Sequence, residues 1–285
     1  MGATILERES TGIVDRRNIK VMVFLTVIFQ FVIPVLILLI ADRTFASSPR
    51  AGFFLPENVK QVTFRFNSYG NLILLPVVVN DSISVNLILD TGCRNILLFG
   101  KRFEKLFKVE PYQKIRVGGL GEGRPLHGKV YLENKISMHE VIGEKIPIVV
   151  VAGQSLFAKN SNVHGIIGYD ILIKFEIEFN FITQLITFRP AATAEMSSEY
   201  DRIPLKIEDC RPLIVSTIFF NGRERHESDL MLDTGSALGL LLKTTDAKKF
   251  FNGMSKKVLG YGLNGNVIGS EAMTEKIILE TFEIL

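Results

Sequence analysis

The feature that most constrains this 285-residue chain is an internal repeat. Leu87-Ile88-Leu89-Asp90-Thr91-Gly92-Cys93 returns 143 residues later as Leu230-Met231-Leu232-Asp233-Thr234-Gly235-Ser236. A strand-like stretch precedes each copy, Leu72 to Val79 and Leu213 to Phe220, and each runs into a turn signal, Asn80-Asp81 or Asn221-Gly222. After each copy comes an apolar run, Ile96 to Phe99 or Leu238 to Leu242, and then a short helix candidate bearing lysine and phenylalanine, Lys101 to Lys108 or Thr244 to Phe251. A glycine-rich stretch closes each unit: Gly118, Gly119, Gly121 and Gly123 in the first, Gly260, Tyr261, Gly262 and Gly265 in the second, at a shift of 142. One offset shared by several features means a duplicated architecture.

Between the copies the pattern is that of strands. Phe175, Ile177, Phe179 and Phe181 alternate with Glu176, Glu178 and Asn180, a period of two. Thr183-Gln184 reads as a hairpin tip before Leu185 to Phe188, and Pro147 to Val151 is a short apolar run. The expected fold class is mostly β, in two lobes with a few short helices.

Composition narrows the function. Hydrophobic residues make up 47% and charged residues 22%, enough to bury a core and too apolar for disorder. A net charge of +3 opposes binding by phosphate neutralisation, so no nucleic-acid partner is expected. Two cysteines and four histidines are too few for a disulfide framework or a multi-zinc protein. Mean hydropathy is high at +0.26, and Val21 to Ala41 explains it: this segment carries no charge. About 20 such residues span a bilayer core of ~30 Å. Arg16, Arg17 and Lys20 precede it, so the positive-inside rule places the N-terminus in the cytoplasm and the remainder outside, in the periplasm if the source is bacterial. A signal anchor and a long signal peptide, cleaved after Thr44-Phe45-Ala46, are the two readings. The expected organisation is a cytoplasmic tail (1–20), a transmembrane segment (21–41), a tether (42–60), lobe one (61–192), a linker (193–201) and lobe two (202–285).

Apolar residues running straight into an aspartate put a carboxylate at the end of a buried strand, where alone it would be neutralised or avoided. Two such ends brought together by lobe symmetry share a proton. The ionised partner can then take a proton from water while the protonated partner polarises a carbonyl. Glycine after the threonine permits a tight turn with N–H groups facing the carboxylates. The threonine hydroxyl can bond across to the other lobe.

On these motifs the chain resembles the two-lobed aspartic proteases of the retropepsin/pepsin superfamily, especially bacterial aspartyl-protease-like proteins. That superfamily is itself the known example of a carboxyl pair whose pKa values split. The resemblance covers roughly residues 61–285. It implies Asp90 and Asp233 as the catalytic dyad of an aspartic-type endopeptidase, supported by Thr91, Gly92, Thr234, Gly235 and Ser236. It implies a flap over a peptide or protein substrate, formed by Gly118, Gly119, Gly121 and Gly123, with a second from Gly260, Tyr261 and Gly262. Gly165-Ile166-Ile167-Gly168 matches the family's loop behind the dyad. No cofactor or metal is implied, and with both motifs on one chain a monomer is expected.

Two departures bear on activity. Cys93 stands where the family has serine, threonine or alanine. Lobe two has no second Gly-apolar-apolar-Gly and only 52 residues after Asp233, so a truncated lobe is expected. The alternative function is a non-catalytic peptide-binding or scaffold protein that reuses the cleft; a further one is completion of the fold by dimerisation. Gly260-x-Gly262-x-x-Gly265 fits the dinucleotide fingerprint but lacks its strand–helix context. His139-Glu140 lacks the second histidine of a zinc motif. His127, His164 and His226 read as surface or turn residues, Cys93 and Cys210 as free thiols, and Phe103, Leu106, Phe107, Phe250 and Phe251 as core. Asn80-Asp81-Ser82 fits a glycosylation sequon.

Overall fold

The structure, a computed structural model, describes residues 50–152, 157, 161–193, 200–220, 224–243 and 255–284. Lobe one is built on a nine-stranded sheet. Its strands are β1 (Gly52–Phe54), β3 (Asn67–Tyr69), β4 (Leu72–Val79), β5 (Ile83–Leu89), β6 (Ile96–Phe99), β7 (Gln113–Val117), β8 (Leu126–Met138), β9 (Val141–Val151) and β10 (Gly165–Ile167). The order is β1-β9-β6-β10-β5-β4-β8-β7, with β3 also on β4 and β8 also on β9. A three-stranded sheet, ordered β11-β12-β2, comprises β2 (Val62–Arg65), β11 (Phe175–Asn180) and β12 (Leu185–Pro190). The helices are single turns, α1 (Lys101–Glu104) and α2 (Tyr169–Leu172).

The turn between β4 and β5 follows from its residues. Asn80 and Asp81 both take left-handed backbone angles, φ 49° and 57°, which asparagine and aspartate tolerate better than branched residues. This sets the register Val79↔Ile83 and points Val85, Leu87 and Leu89 into the core. β6 is apolar at every position because both its faces are packed, Ile96 and Leu98 in one core cluster and Leu97 and Phe99 in another, while β9 in parallel and β10 antiparallel pair its edges. β10 runs parallel to β5 in the register Gly165↔Leu87. Backbones approach so closely there that a methyl on Gly165 would stand 1.9 Å from the Leu97 carbonyl oxygen.

Lobe two repeats part of this plan. β13 (Lys206–Glu208), β14 (Arg211–Phe220), β18 (Lys276–Leu279) and β19 (Phe282–Ile284) form a sheet in that order, with β15 (Glu224–Met231) on β14. β16 (Lys257–Gly262) and β17 (Gly265–Gly269) form a separate hairpin. Most of the buried core lies in lobe one; in lobe two the buried described residues are confined to β14, at Pro212, Ile214, Ser216, Ile218 and Phe220.

Three expectations need correction or restriction. The fold class included an N-terminal transmembrane helix, but among the described residues no helix is long and apolar enough to cross a membrane. Apolar residues of the described chain are spent in strand-length runs that pack into the lobes. Val21 to Ala41, with the tail and residues 42–49 of the tether, lies outside the described residues. Within the segment read as tether, Gly52–Phe54 is a strand of the main sheet, paired to Ile142–Glu144 of β9. Leu106 is 46% exposed, whereas Phe103 and Phe107 are buried, because the helical turn stops at Glu104 and Phe107 stacks on Tyr131 instead. The turn Asn221-Gly222, the helix candidate 244–251 with Phe250 and Phe251, and residues 194–199 of the linker lie outside the described residues.

Candidate active site

The two Asp-Thr-Gly segments meet at the junction of the lobes. In each, the glycine N–H turns back onto the aspartate: Gly92 donates to Asp90 Oδ1 at 2.7 Å and Gly235 to Asp233 Oδ1 at 2.8 Å. The threonines cross over. Thr91 N–H donates to Thr234 Oγ1 at 3.1 Å, and Thr234 N–H to Thr91 Oγ1 at 3.0 Å. Each hydroxyl in turn donates to the strand before the opposite aspartate, Thr234 to the Leu89 carbonyl at 2.8 Å and Thr91 to the Leu232 carbonyl. Four reciprocal hydrogen bonds thus tie the two loops, and each threonine hydroxyl is donor and acceptor through a single oxygen.

This grip presses the carboxyl groups together. The Asp233 side chain is within hydrogen-bonding reach of Asp90. Gly235 lies directly against its neighbour, since a methyl there would be 2.3 Å from the Asp90 carboxyl carbon. A methyl on Gly92 would stand 3.2 Å from Asp90 Oδ1 and 3.3 Å from Asp233 Oδ1. Burial first, and the charge of Asp233 second, push the Asp90 carboxyl up to about 7, against the lowering pull of the Gly92 N–H. Asp90 therefore keeps its proton toward neutral pH, beside the Asp233 carboxyl.

The loop behind the pair is held by lobe one's glycine motif. Asp90 N–H donates to the Ile167 carbonyl at 2.9 Å, and Tyr169 N–H to the Cys93 carbonyl at 2.8 Å. Gly168 sits so close that a methyl would be 1.9 Å from the Cys93 carbonyl oxygen. Cys93 donates its thiol to the Asn95 carbonyl at 3.2 Å. Burial and the Asp90 charge push this thiol up to about 12, so it is neutral and no nucleophile. In lobe two Ser236 Oγ accepts from Leu238 N–H at 3.2 Å, closing the equivalent turn. Across the rim Arg94 pairs with Asp209, an exposed contact that adds little stability.

The glycine-rich segments are hairpin tips, and they meet. The first is an eight-residue loop between the paired ends Val117 and Leu126; the second is a two-residue loop, Leu263-Asn264, between the paired ends Gly262 and Gly265. Gly123 N–H donates to the Asn264 carbonyl at 2.6 Å, Glu122 N–H to the Asn266 carbonyl at 3.0 Å, and Asn264 N–H to the Leu120 carbonyl at 2.8 Å. Gly119, Gly121, Gly123 and Gly262 all lie where a methyl would be 2.6 Å or less from the facing tip. Gly118 and Gly260 have open space, and Tyr261 is 80% exposed. Leu263 packs onto the lobe-one cluster of Leu97, Val117 and Ile166, which Cys93 also joins.

In the sequence Leu263 and Asn264 are marked only as a two-residue tip between glycines, Gly262 and Gly265. Of the histidines, His164 is half-buried rather than a surface residue: its Nδ1 accepts Asn86 N–H at 2.9 Å, and burial lowers its pKa. His139 stacks on Phe64 at 4.2 Å. Among the described residues no cluster of three or more His, Cys, Asp or Glu side chains could hold a metal ion.

No protein-family model and no curated protein matches the chain. Among solved structures it is similar to a retropepsin-like aspartic protease from Rickettsia conorii, with 14% identity and a TM-score of 0.33 over 50% of this chain and 97% of that one. It is also similar to an aspartic proteinase from Irpex lacteus, with 15% identity and a TM-score of 0.39 over 62% of this chain. There it spans 64% of the enzyme's length, less than two thirds.

Proposed function

We propose that this chain is an aspartic-type endopeptidase in which Asp90 and Asp233 form a water-activating dyad. One observation carries the reading: the reciprocal threonine grip holds the two Asp-Thr-Gly loops together across the lobe boundary, with Oδ1 of Asp90 and Oδ1 of Asp233 both beside Gly92. A carboxyl held near neutrality is matched to both halves of the task. The ionised member takes a proton from water as its oxygen attacks the peptide carbonyl carbon. The protonated member gives its proton to the carbonyl oxygen, forming a neutral tetrahedral diol. Collapse breaks the C–N bond, with a proton passing to the leaving nitrogen. Thr91, Thr234, Gly92, Gly235 and Ser236 keep the geometry, and the paired hairpins cover the peptide.

The test is incubation of the full chain with a peptide library between pH 4 and 8, read by mass spectrometry. Cleavage by the wild type, reduced at least about a thousandfold in Asp90→Asn and in Asp233→Asn, is the expected result. Binding of peptides without cleavage by any form favours a peptide-binding protein that reuses the cleft.

A further inference from the structure

β10 is only three residues long, yet it seats the strand end that carries Asp90: the Ile167 carbonyl accepts the Asp90 N–H. The residue that fixes where β10 begins is His164. Its N–H donates to the Asn86 carbonyl at 2.9 Å, and its own carbonyl accepts the Phe99 N–H at 2.9 Å. The Asn86 N–H donates back to the ring, at 2.9 Å from Nδ1. Asn86 Nδ2 adds a bond to the Asn162 carbonyl at 3.2 Å, just before His164. Asn86 lies on β5, four residues before Asp90. One histidine thus joins β5, β6 and β10.

Of these bonds only the one to the ring depends on protonation. An N–H donates to Nδ1, so Nδ1 carries no proton, and the neutral imidazole has its proton on Nε2. A protonated ring donates at both nitrogens. Its Nδ1–H would face the Asn86 N–H, donor against donor, and that half-buried main-chain group would lose its acceptor. The charged neighbour opposes the cation. α1 presents Arg102, together with Phe103, whose ring lies at right angles to the imidazole at 6.3 Å. β5 and β6 present Asn86 and Phe99, which carry no charge. Burial, and then the Arg102 charge, hold the His164 pKa below the usual histidine value. Asparagine at this position would offer an oxygen in place of Nδ1 and would not titrate. Histidine makes the clamp conditional.

We infer that His164 is a positioning residue that works as an acid-release latch: with its ring neutral it holds Asn86 and seats β10 behind Asp90, and protonation opens this clamp and loosens the aspartate's loop. The effect reaches the reacting groups through Asn86, the β10–β5 pairing Gly165↔Leu87 and the bond from Asp90 N–H to the Ile167 carbonyl. This rests on the endopeptidase reading and deepens it, because it gives the acid side of the activity profile a cause outside the carboxyl pair. A ring whose pKa is lowered by folding stabilises the native chain fully above the ordinary histidine value of about 6.5. That contribution is lost as pH falls below this value toward the native one.

The experiment uses the full chain, a peptide taken from the library cleavage and the variant His164→Asn. The ratio of the two kcat/KM values cancels the titration of the carboxyl pair, which both proteins share. The two should be equally active at pH 8. By pH 4 the wild type should fall about tenfold below His164→Asn, the effect of one lost hydrogen bond. Thermal melts give a readout that needs no substrate: over the same range the wild type should lose about 2–4 °C relative to His164→Asn. His164→Leu, which has no acceptor, should be impaired at both pH values. A kcat/KM ratio and a melting gap that are both independent of pH overturn the latch while leaving the endopeptidase reading intact. A melting gap that opens in acid beside a flat kcat/KM ratio overturns the positioning role. A library with no cleaved peptide overturns the endopeptidase reading and the positioning role with it.

Discussion

The apolar residues that lead into Asp-Thr-Gly are buried in one lobe and open in the other. Leu87, Ile88 and Leu89 are at most 2% exposed, whereas Met231 and Leu232 are 38% and 47% exposed. The difference lies in what covers them. In lobe one β10 lies between β5 and β6, and β9 flanks β6 on the far side. Lobe two has no counterpart of β10 among the described residues. Its apolar run Leu238 to Leu242 forms no strand, although Ile96–Phe99 at the matching place does. An apolar run becomes a strand when neighbours take up its backbone hydrogen bonds, and propensity alone does not suffice. Yet the loops that follow are held almost identically, because the threonine grip is made between lobes, through loop N–H groups and the carbonyls of Leu89 and Leu232.

Stability should break along this line. Leu89→Ala is expected to cost about 2–5 kcal/mol through a cavity in a closed core, and Leu232→Ala under about 1 kcal/mol. Urea denaturation of the two variants measures the gap; equal losses would mean that lobe two's copy is as well covered as lobe one's.

The next effect concerns the buried carboxyl. The native Asp90 binds its proton more tightly than an unfolded aspartate, so the stability tied to its neutral form is complete below about pH 4 and is lost as pH rises toward about 7. Asp90→Asn, which stays neutral, should match the wild type at pH 4 and exceed it at pH 8 by on the order of 2 kcal/mol. Thermal melts across that range check the sign. A wild type that gains on the variant as pH rises would refute the assigned cause.

The grip should show near-equality in place of contrast. Thr91→Val and Thr234→Val each remove one donor and one acceptor of the reciprocal set, at about 1–2 kcal/mol apiece, despite the different burial of their lobes. The double variant should lose less than the sum, because each single already breaks bonds of the other. Smaller still, and purely local, hydrogen exchange should be faster at the amides of β15 than at those of β5.

Local regularities were what the sequence disclosed. The motif pair, the alternation in Phe175–Asn180 and the Asn80-Asp81 turn all depend on neighbours in the chain, as does the glycine pair Gly165 and Gly168, spaced to let backbones touch. The remainder depends on residues far apart. Leu263 and Asn264 are unremarkable until a tip some 145 residues away is placed against them. Gly52–Phe54 carries no period to mark it as a strand, and gains its role from the exposed edge of β9. Leu106 fits an apolar helix stripe, but the helix ends before the stripe is used.

The proposed dyad requires Asp90 and Asp233 to act as one proton-sharing unit. The direct measurement is kcat/KM for a cleaved peptide in Asp90→Asn, Asp233→Asn and the double variant. Members of one unit are grossly non-additive, so each single variant should fall as far as the double. A single variant that keeps substantial activity, or a double variant whose loss is the product of the two single losses, would contradict it.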